Sequence, residues 1–392
     1  MKCDAVRLIV AGDLVLAGAD ADAARRGELV ALCRDVSERV READLAVVNL
    51  EAPICDAGPA IRKLGPSLRI EPALAAAIGS FGFKAVNLAN NHIMDHGPTG
   101  LGATLTACER LGMQTFGAGM GAAAAGQILV QEVGGLRIGL LGMAEHEFSL
   151  ALHSSPGTNP ADPIGFLAAV QRQAGSFDRL VVLVHGGIEH FPWPTPRLQR
   201  FCRFLAEHGA AAVICQHTHA IGCWEIYRGC PLVYGQGNFL FAAHTARESW
   251  WTGLLVELEF TAGKTGMNLL PCRSQPDRPG VSLLSGTEAQ DVLAAMDERS
   301  TRLQEPGELD AEFRRYVETH DRWYLGLLEA FPRWLRKIDH RIPIFGLWRS
   351  PRRLAMQYNV VACESHREVL LHVLGRGAGL YQHGERENSR RC

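Results

Sequence analysis

Apolar runs long enough to cross a membrane are missing from this chain of 392 residues. No stretch reaches the roughly 18 residues that a span requires. The first apolar run, VRLIVA, is broken at Asp13 and followed by Asp20 and Asp22, so it does not read as a secretory signal. An excess of charge is missing too. Lys and Arg number 40 against 42 Asp and Glu, and a net charge of -2 gives no footprint for a polyanion such as nucleic acid. Paired CxxC cysteines are also absent. The 11 cysteines are odd in number, and Cys202, Cys215, Cys223 and Cys230, which lie nearest one another, have spacings that fit no zinc ribbon. Most resemble small core residues, as in Val213-Ile214-Cys215, a usage that fits a reducing cytoplasm better than a disulfide framework. The expectation is a cytoplasmic protein with no transmembrane segment and no nucleic-acid partner.

What remains is ordinary globular material, 47% apolar and 21% charged, enough for one large domain and an additional piece. Strand and helix patterns alternate through the first half. VRLIVAG, LAVVNLE, FKAVNLA, RLVVLVHGG and AAVICQHTH read as strands. Residues 25–42 read as one amphipathic helix. Pro98 suits the first turn of a helix running to Leu111, with Gly112 as its cap. Asp162-Pro163 and Pro196 open two further helices. ILVQEV and LRIGLLGM form a hairpin around Gly134-Gly135; CWEIYRG and PLVYGQGNF form a β pair, and GLLVELEF closes the set. Mixed parallel and antiparallel strands with flanking helices predict a layered α/β sandwich over residues 1–262. Residues 263–300, rich in Gly, Pro, Ser and Arg, read as a linker or loop. Residues 301–392 read as a helical extension, either a docking surface or a cap on the sandwich, with a disordered tail at 384–392.

Polar residues gather where the strands end. Gly12-Asp13, Asn49-Leu50-Glu51, Asn90-Asn91-His92 with Asp95, His185 to Glu189, and His217-Thr218-His219 each follow an apolar run. Ligands of open α/β sheets bind beyond the carboxyl ends of the strands. Each segment alone is a common turn or cap, but five in succession predict one shared pocket holding two divalent ions. His217 and His219 share a face if the strand continues through them. Asp95 is close enough to orient His92, and Glu189 to orient His185. Asn238 either reaches the pocket or caps a turn. Arg62, Lys63 and Arg69 lie on the loop after Glu51, where they attract an anion or form a solvated basic loop. Glu145, His146 and Glu147 either meet the substrate or, the better reading, form a polar loop, and residues 190–194 read as a pocket wall or a packed surface loop.

The strings AGDLVLAG, ADLAVVNLEAPI, FGFKAVNLANNHIMDHGPTGL, LGMQTFGAG, VVLVHGGIEH and AAVICQHTHAIGCWEIYRGCPLVYGQGNFLF resemble the CapA family of capsule and poly-gamma-glutamate biosynthesis proteins, within the calcineurin-like metallophosphoesterase superfamily. The resemblance covers about residues 6–260. It implies a metallophosphatase-type α/β-β/α sandwich and a site holding two ions of Mn, Zn or Fe. In that site Asp13 and His219 serve metal one, Glu51 bridges, Asn91, His185 and His217 serve metal two, and His92 acts as general acid. It also implies an anionic small-molecule or polymer substrate, and surface-polymer synthesis proteins as partners. Two departures stand out: Val15 occupies the place of the D-x-H histidine, and the bridging residue is Glu rather than Asp. The resemblance therefore leaves two functions, a dinuclear phosphoester-type hydrolase or a non-catalytic accessory subunit that binds an anionic polymer.

Overall fold

The computed structural model describes residues 5–328 and 351–377, apart from 64, 152, 153, 244 and 262. In chain order, β1 (Val6–Val15) is followed by α1 (Gly18–Arg25), α2 (Leu29–Leu32), α3 (Arg34–Glu42) and β2 (Leu45–Leu50). Next come α4 (Ala75–Ser80), β3 (Ala85–Asn87), α5 (Gly97–Arg110), β4 (Gln114–Phe116), β5 (Ala118–Gly119) and α6 (Ala122–Ala125). The middle of the chain carries β6 (Leu129–Val133), β7 (Leu136–Ala144), β8 (Gly157–Thr158), α7 (Pro163–Arg172), β9 (Arg179–His185), α8 (Pro196–Glu207) and β10 (Ala210–Gln216). Then follow β11 (Trp224–Tyr227), β12 (Cys230–Val233), β13 (Asn238–Phe241), β14 (Thr252–Phe260), β15 (Thr265–Gln275) and β16 (Arg278–Leu283). The described C-terminal helices are α9 (Gly286–Leu303), α10 (Glu308–Leu328), α11 (Pro351–Ala362) and α12 (Glu364–Gly377).

The strands build two main sheets. One runs β16-β15-β14-β1-β2-β3-β4, with β13 also pairing β1; the other runs β11-β12-β10-β9-β7-β6. Alternating side chains explain why the sheets stack. Along β1, Leu8 and Val10 join a cluster with Leu183 on β9 and Ile214 on β10, while Ile9 and Ala11 join Val36 and Val40 of α3. Along β9, Val181 and Leu183 face the first sheet, while Leu180 and Val182 face Phe166 of α7 and Phe201 of α8. Each sheet therefore covers the other with one face and a helical layer with the opposite face. The result is a layered α/β-β/α sandwich.

Several local readings hold. Asp162 accepts the Gly165 N–H and Thr195 accepts the Leu198 N–H, each just ahead of a proline in the first turn. The helix expected over 25–42 is instead broken at Gly27, whose φ of 71° no continuing helix accommodates. The linker expected over 263–300 is corrected. β14 and β15 pair from Thr252↔Arg273 to Phe260↔Thr265, so a boundary at 262 would cut a hairpin, and β16 and α9 follow directly. The glycines and prolines of that stretch obscured a sheet edge. In the extension, Leu309, Phe313, Val317, Tyr324, Val360, Val369 and Val373 pack with the α8 layer, so the described C-terminal helices cap the second sheet. The tail expected to be disordered at 384–392 lies outside the described residues. No described helix is long and apolar enough to cross a membrane.

Candidate metal centre

Parallel pairing delivers the site. β1, β2 and β3 run side by side, as do β7, β9 and β10, and their carboxyl ends meet where the sheets face each other. Asp13 sits opposite Asn49 of β2 and Asn238 of β13. Gly12 precedes it because the chains touch there: a Cβ at this position would lie 2.2 Å from the Gly237 carbonyl oxygen. Glu51 leaves β2, Asn91 and His92 follow β3, His185 ends β9, and His217 follows β10.

Four ligands each about 2.0–2.1 Å from one tetrahedral ion stand roughly 3.3 Å from one another. His185 Nε2 lies 3.3 Å from Glu51 Oε1, 3.1 Å from Asn91 Oδ1 and 3.2 Å from His217 Nδ1. Those are the three edges that meet at one vertex of such a tetrahedron. Asp13, Glu51 and His219 make a second triad, its donor atoms within 4.8 Å of one another, as are those of Glu51, His185 and His217. Glu51 belongs to both.

The paired histidines do not share a strand face, as their spacing suggested. β10 stops at Gln216, and His217 and His219 lie beyond it with φ of 94° and 50°. This left-handed backbone is costly for residues with a Cβ and collects at functional sites. Asp13 Oδ2 accepts the His217 N–H at 3.2 Å and helps hold the turn. Asn238 Oδ1 lies 2.8 Å from His219 Nδ1, and its amide donates to the Trp250 carbonyl, so Asn238 orients His219.

Electrostatics agree with a cation site. Burial, reinforced by the Glu51 charge, pushes Asp13 up to about 7, and burial holds Glu51 well above the usual carboxylate range. Burial also brings His185 down to about 4 and lowers His217 and His219. Both Glu51 oxygens are buried without a hydrogen-bond partner among the described residues. A buried carboxylate without donors is expensive unless a positive charge meets it. The donor set, three imidazoles, an amide oxygen and two carboxylates, fits Zn, Mn or Fe.

The neighbouring expectations are distributed unevenly. Asp95 Oδ2 is 2.7 Å from His92 Nδ1 and accepts the Leu68 N–H at 2.6 Å. Lys63, its side chain 3% exposed, pairs with Asp95 Oδ1 and stands 2.9 Å from His92 Nδ1. Arg62 is exposed and is not drawn into this group. Glu189 is exposed at the rim and makes no hydrogen bond to His185 among the described residues; Asn49 Nδ2 lies 3.4 Å from His185 Nδ1 instead. Glu189 acts through its charge, opposing ionisation of Glu51 and Glu147.

Other participants escaped the sequence reading. Glu147, expected on a polar loop, is 3.7 Å from His217 Nε2 and accepts from the Asn91 amide at 3.4 Å; burial pushes it up to about 7. Its position directly after β7 was the available signal. Glu145 is buried, accepting from Gly187 N–H, Arg197 and the Ser365 hydroxyl of α12. Below the centre, Asn49 donates to Asp13 at 2.7 Å and accepts from Asn87 and Asn90. Gln216 donates to the Ala11 carbonyl and to Gln236. These amides join the two sheets.

A family model described as bacterial capsule synthesis protein PGA_cap matches residues 7–243, more than half of the chain. The chain belongs to this family. The match spans all the ligand positions from Asp13 to His219 and Asn238 as well. Among curated relatives, the chain is 26% identical over 217 residues to a capsule biosynthesis protein CapA of Bacillus anthracis, covering 53% of each chain. It is 28% identical over 210 residues to a probable polyglutamine synthesis accessory protein of Mycobacterium tuberculosis, covering 50% of this chain and 55% of the other. The chain thus spans about half the length of the curated relatives it matches. Among solved structures, it is similar to a 5′-nucleotidase from Candida albicans at 8% identity and a TM-score of 0.40, covering 81% of this chain and 58% of the other. That likeness is too distant to carry a functional argument.

Proposed function

We propose that this PGA_cap protein is a metal-dependent phosphoester-type hydrolase holding two divalent ions, acting in capsule, poly-gamma-glutamate or related surface-polymer metabolism. The observation that carries the reading is Glu51, whose unpartnered carboxylate belongs to both ligand triads. Asp13, Glu51 and His219 would hold one ion; Glu51, Asn91, His185 and His217 the other. Bound there, the pair would polarise a phosphoryl oxygen and lower the pKa of a water to near neutrality.

The protein's own groups do the rest. Asn238 keeps His219 turned inward, and Asn49 holds Asp13 in place. His92 supplies the proton to the leaving oxygen. Burial keeps its imidazole neutral, with one proton to place. Lys63 Nζ, held by Asp95 and 2.9 Å from Nδ1, hands a proton to Nδ1 as Nε2 gives its own to the leaving oxygen, so the ring stays neutral and no imidazolate forms.

The test is metal content and hydrolysis of bis(p-nitrophenyl) phosphate with Mn. Wild type should bind two ions per chain. Glu51→Gln should bind one or none, and Glu51→Gln, His217→Ala and His92→Ala should each lose about a hundredfold or more in turnover. A second reading is a non-catalytic accessory subunit that holds an anionic polymer at the same centre. Val15 favours it, because a buried valine stands where the superfamily's histidine would serve metal one. Two bound ions with no turnover on any of a panel of phosphoesters would establish that reading instead.

A further inference from the structure

A cavity of about 360 Å³ lies beside the centre, between the 190–192 loop, the turn at Ala220–Ile221, the 248–251 turn, β15 and α9. It adjoins the metal ligands through aromatic contacts. The His190 ring, on its wall, is 6.3 Å from the His219 ring and 5.8 Å from Trp250, and Trp250 is 4.3 Å from His219. His190 is pinned by its N–H to the Thr218 carbonyl at 2.7 Å, with φ of 64°.

The lining is apolar at the sides and cationic at one end. Ile221, Val292 and Pro192 supply the apolar walls. Arg273 enters from β15 and Arg299 from α9. Two groups there are buried and unsatisfied among the described residues: Arg273 Nε and His190 Nδ1. Unmade hydrogen bonds of buried donors are costly, and a ligand that completes them gains that difference. Arg299 gives Nε and Nη2 to the Gly222 and Ile221 carbonyls at 3.0 and 3.1 Å, and no carboxylate pairs with it among the described residues. Among the described residues, Arg273 has exposed Glu288 alone as an ionic partner, at 3.6 Å. Against these two guanidiniums the lining sets one carboxylate, the exposed Glu248.

We propose that this cavity is a substrate subsite for a carboxylate on an aliphatic stem, with Arg273 and Arg299 taking the carboxylate and Ile221 and Val292 covering the methylenes. Guanidinium forks match a planar carboxylate. A phosphate dianion is the poorer fit, because Glu248 faces the same space and the apolar walls favour a slender stem. That this carboxylate is the far end of the molecule cleaved at the metal centre rests on the hydrolase reading above; the binding site itself does not.

The experiment is calorimetric titration of the Mn-loaded full chain with glutarate, and separately with inorganic phosphate. Saturable glutarate binding is expected, weakened about tenfold or more by Arg273→Gln and by Ile221→Trp, and retained in His217→Ala. Arg273→Gln breaks only an exposed ion pair, so it tests the site without endangering the fold. No saturable glutarate binding, binding unchanged in both cavity variants, or capture of phosphate but not glutarate would overturn the proposal. Loss of glutarate binding in His217→Ala alone would overturn it too, since the carboxylate would then sit on the metal. Intact glutarate binding in a protein that hydrolyses no phosphoester would sink the hydrolase reading and leave the subsite standing.

Discussion

His217 and His219 hold their imidazoles where they are needed by accepting backbone angles that glycine would adopt more cheaply. At this scale the chemistry is a contest between burial and charge. Asp13 and Glu147, both pushed up to about 7, are held back from ionising by a buried setting. A cation favours the ionised form, so ion binding must expel the protons these groups carry. Affinity for Mn is therefore expected to rise as pH increases through about 7, with protons released on binding. Titrations at pH 5.5, 7 and 8 in buffers of different ionisation enthalpy check this; flat affinity across the range would count against Asp13 as a ligand. Lys63 offers a second residue-level expectation. Lys63→Met should leave the bound ions in place and lower turnover, because the imidazole is freed to put its proton on Nδ1 and donate it to Asp95. A variant with full activity would remove Lys63 from the mechanism.

At the scale of elements, Asp20 of α1 is buried and accepts the Gly280 N–H of β16 at 2.8 Å. Burial raises it to about 6 from 3.8. A carboxyl raised in the folded state binds its proton more tightly there than in the unfolded chain. Its contribution is thus favourable below the unfolded value and is lost as pH climbs through about 6. Asp20→Asn keeps the acceptor and drops the charge, so urea unfolding at pH 8 should find it more stable than wild type by an amount on the order of 2 kcal/mol, with the difference vanishing near pH 4. Elements also show what could be read in advance. β1, β2, β3, β9 and β10 were legible because buried parallel strands are continuous apolar runs, and the polar residue ending each run announced Asp13, Glu51, Asn91, His185 and His217. Glu147 and Asn49 were not legible, because nothing local distinguishes a carboxylate or amide aimed inward from one in a turn. β16 hid for another reason: Pro279 and Gly280 are poor strand residues, tolerated because β16 is the outer strand of its sheet. Which way Glu189 and Arg62 point depended on packing that no spacing encodes.

For the molecule as a whole, the amides beneath the centre matter more than their number suggests. Gln216 and Gln236 reach from the second sheet's end of the sandwich to the Ala11 and Val10 carbonyls of β1, while Asn87 links Asn49 to Gln216. Most of the remaining seam is apolar, which resists separation better than sliding, with the Gln131–Gln114 and Arg179–Thr261 hydrogen bonds at its edges. Gln216→Leu should leave the Ala11 carbonyl unpaired and lower stability by about 1–3 kcal/mol. It should also weaken ion binding about tenfold or more, because ligands from both sheets lose their common frame. Chemical denaturation together with Mn titration would separate the two effects, and normal affinity in a destabilised variant would confine the amides to structure.

Glu51 extends the point from geometry to survival of the fold. A fully enclosed carboxyl, held back from ionising by burial and without a hydrogen-bond partner among the described residues, leaves the empty protein internally frustrated, and occupancy relieves that frustration by mass action. Chelation should accordingly lower the melting temperature and open the molecule to proteases, whereas chelation of Glu51→Gln should change little. Availability of metal would then govern how long the polypeptide persists, quite apart from whether it turns anything over.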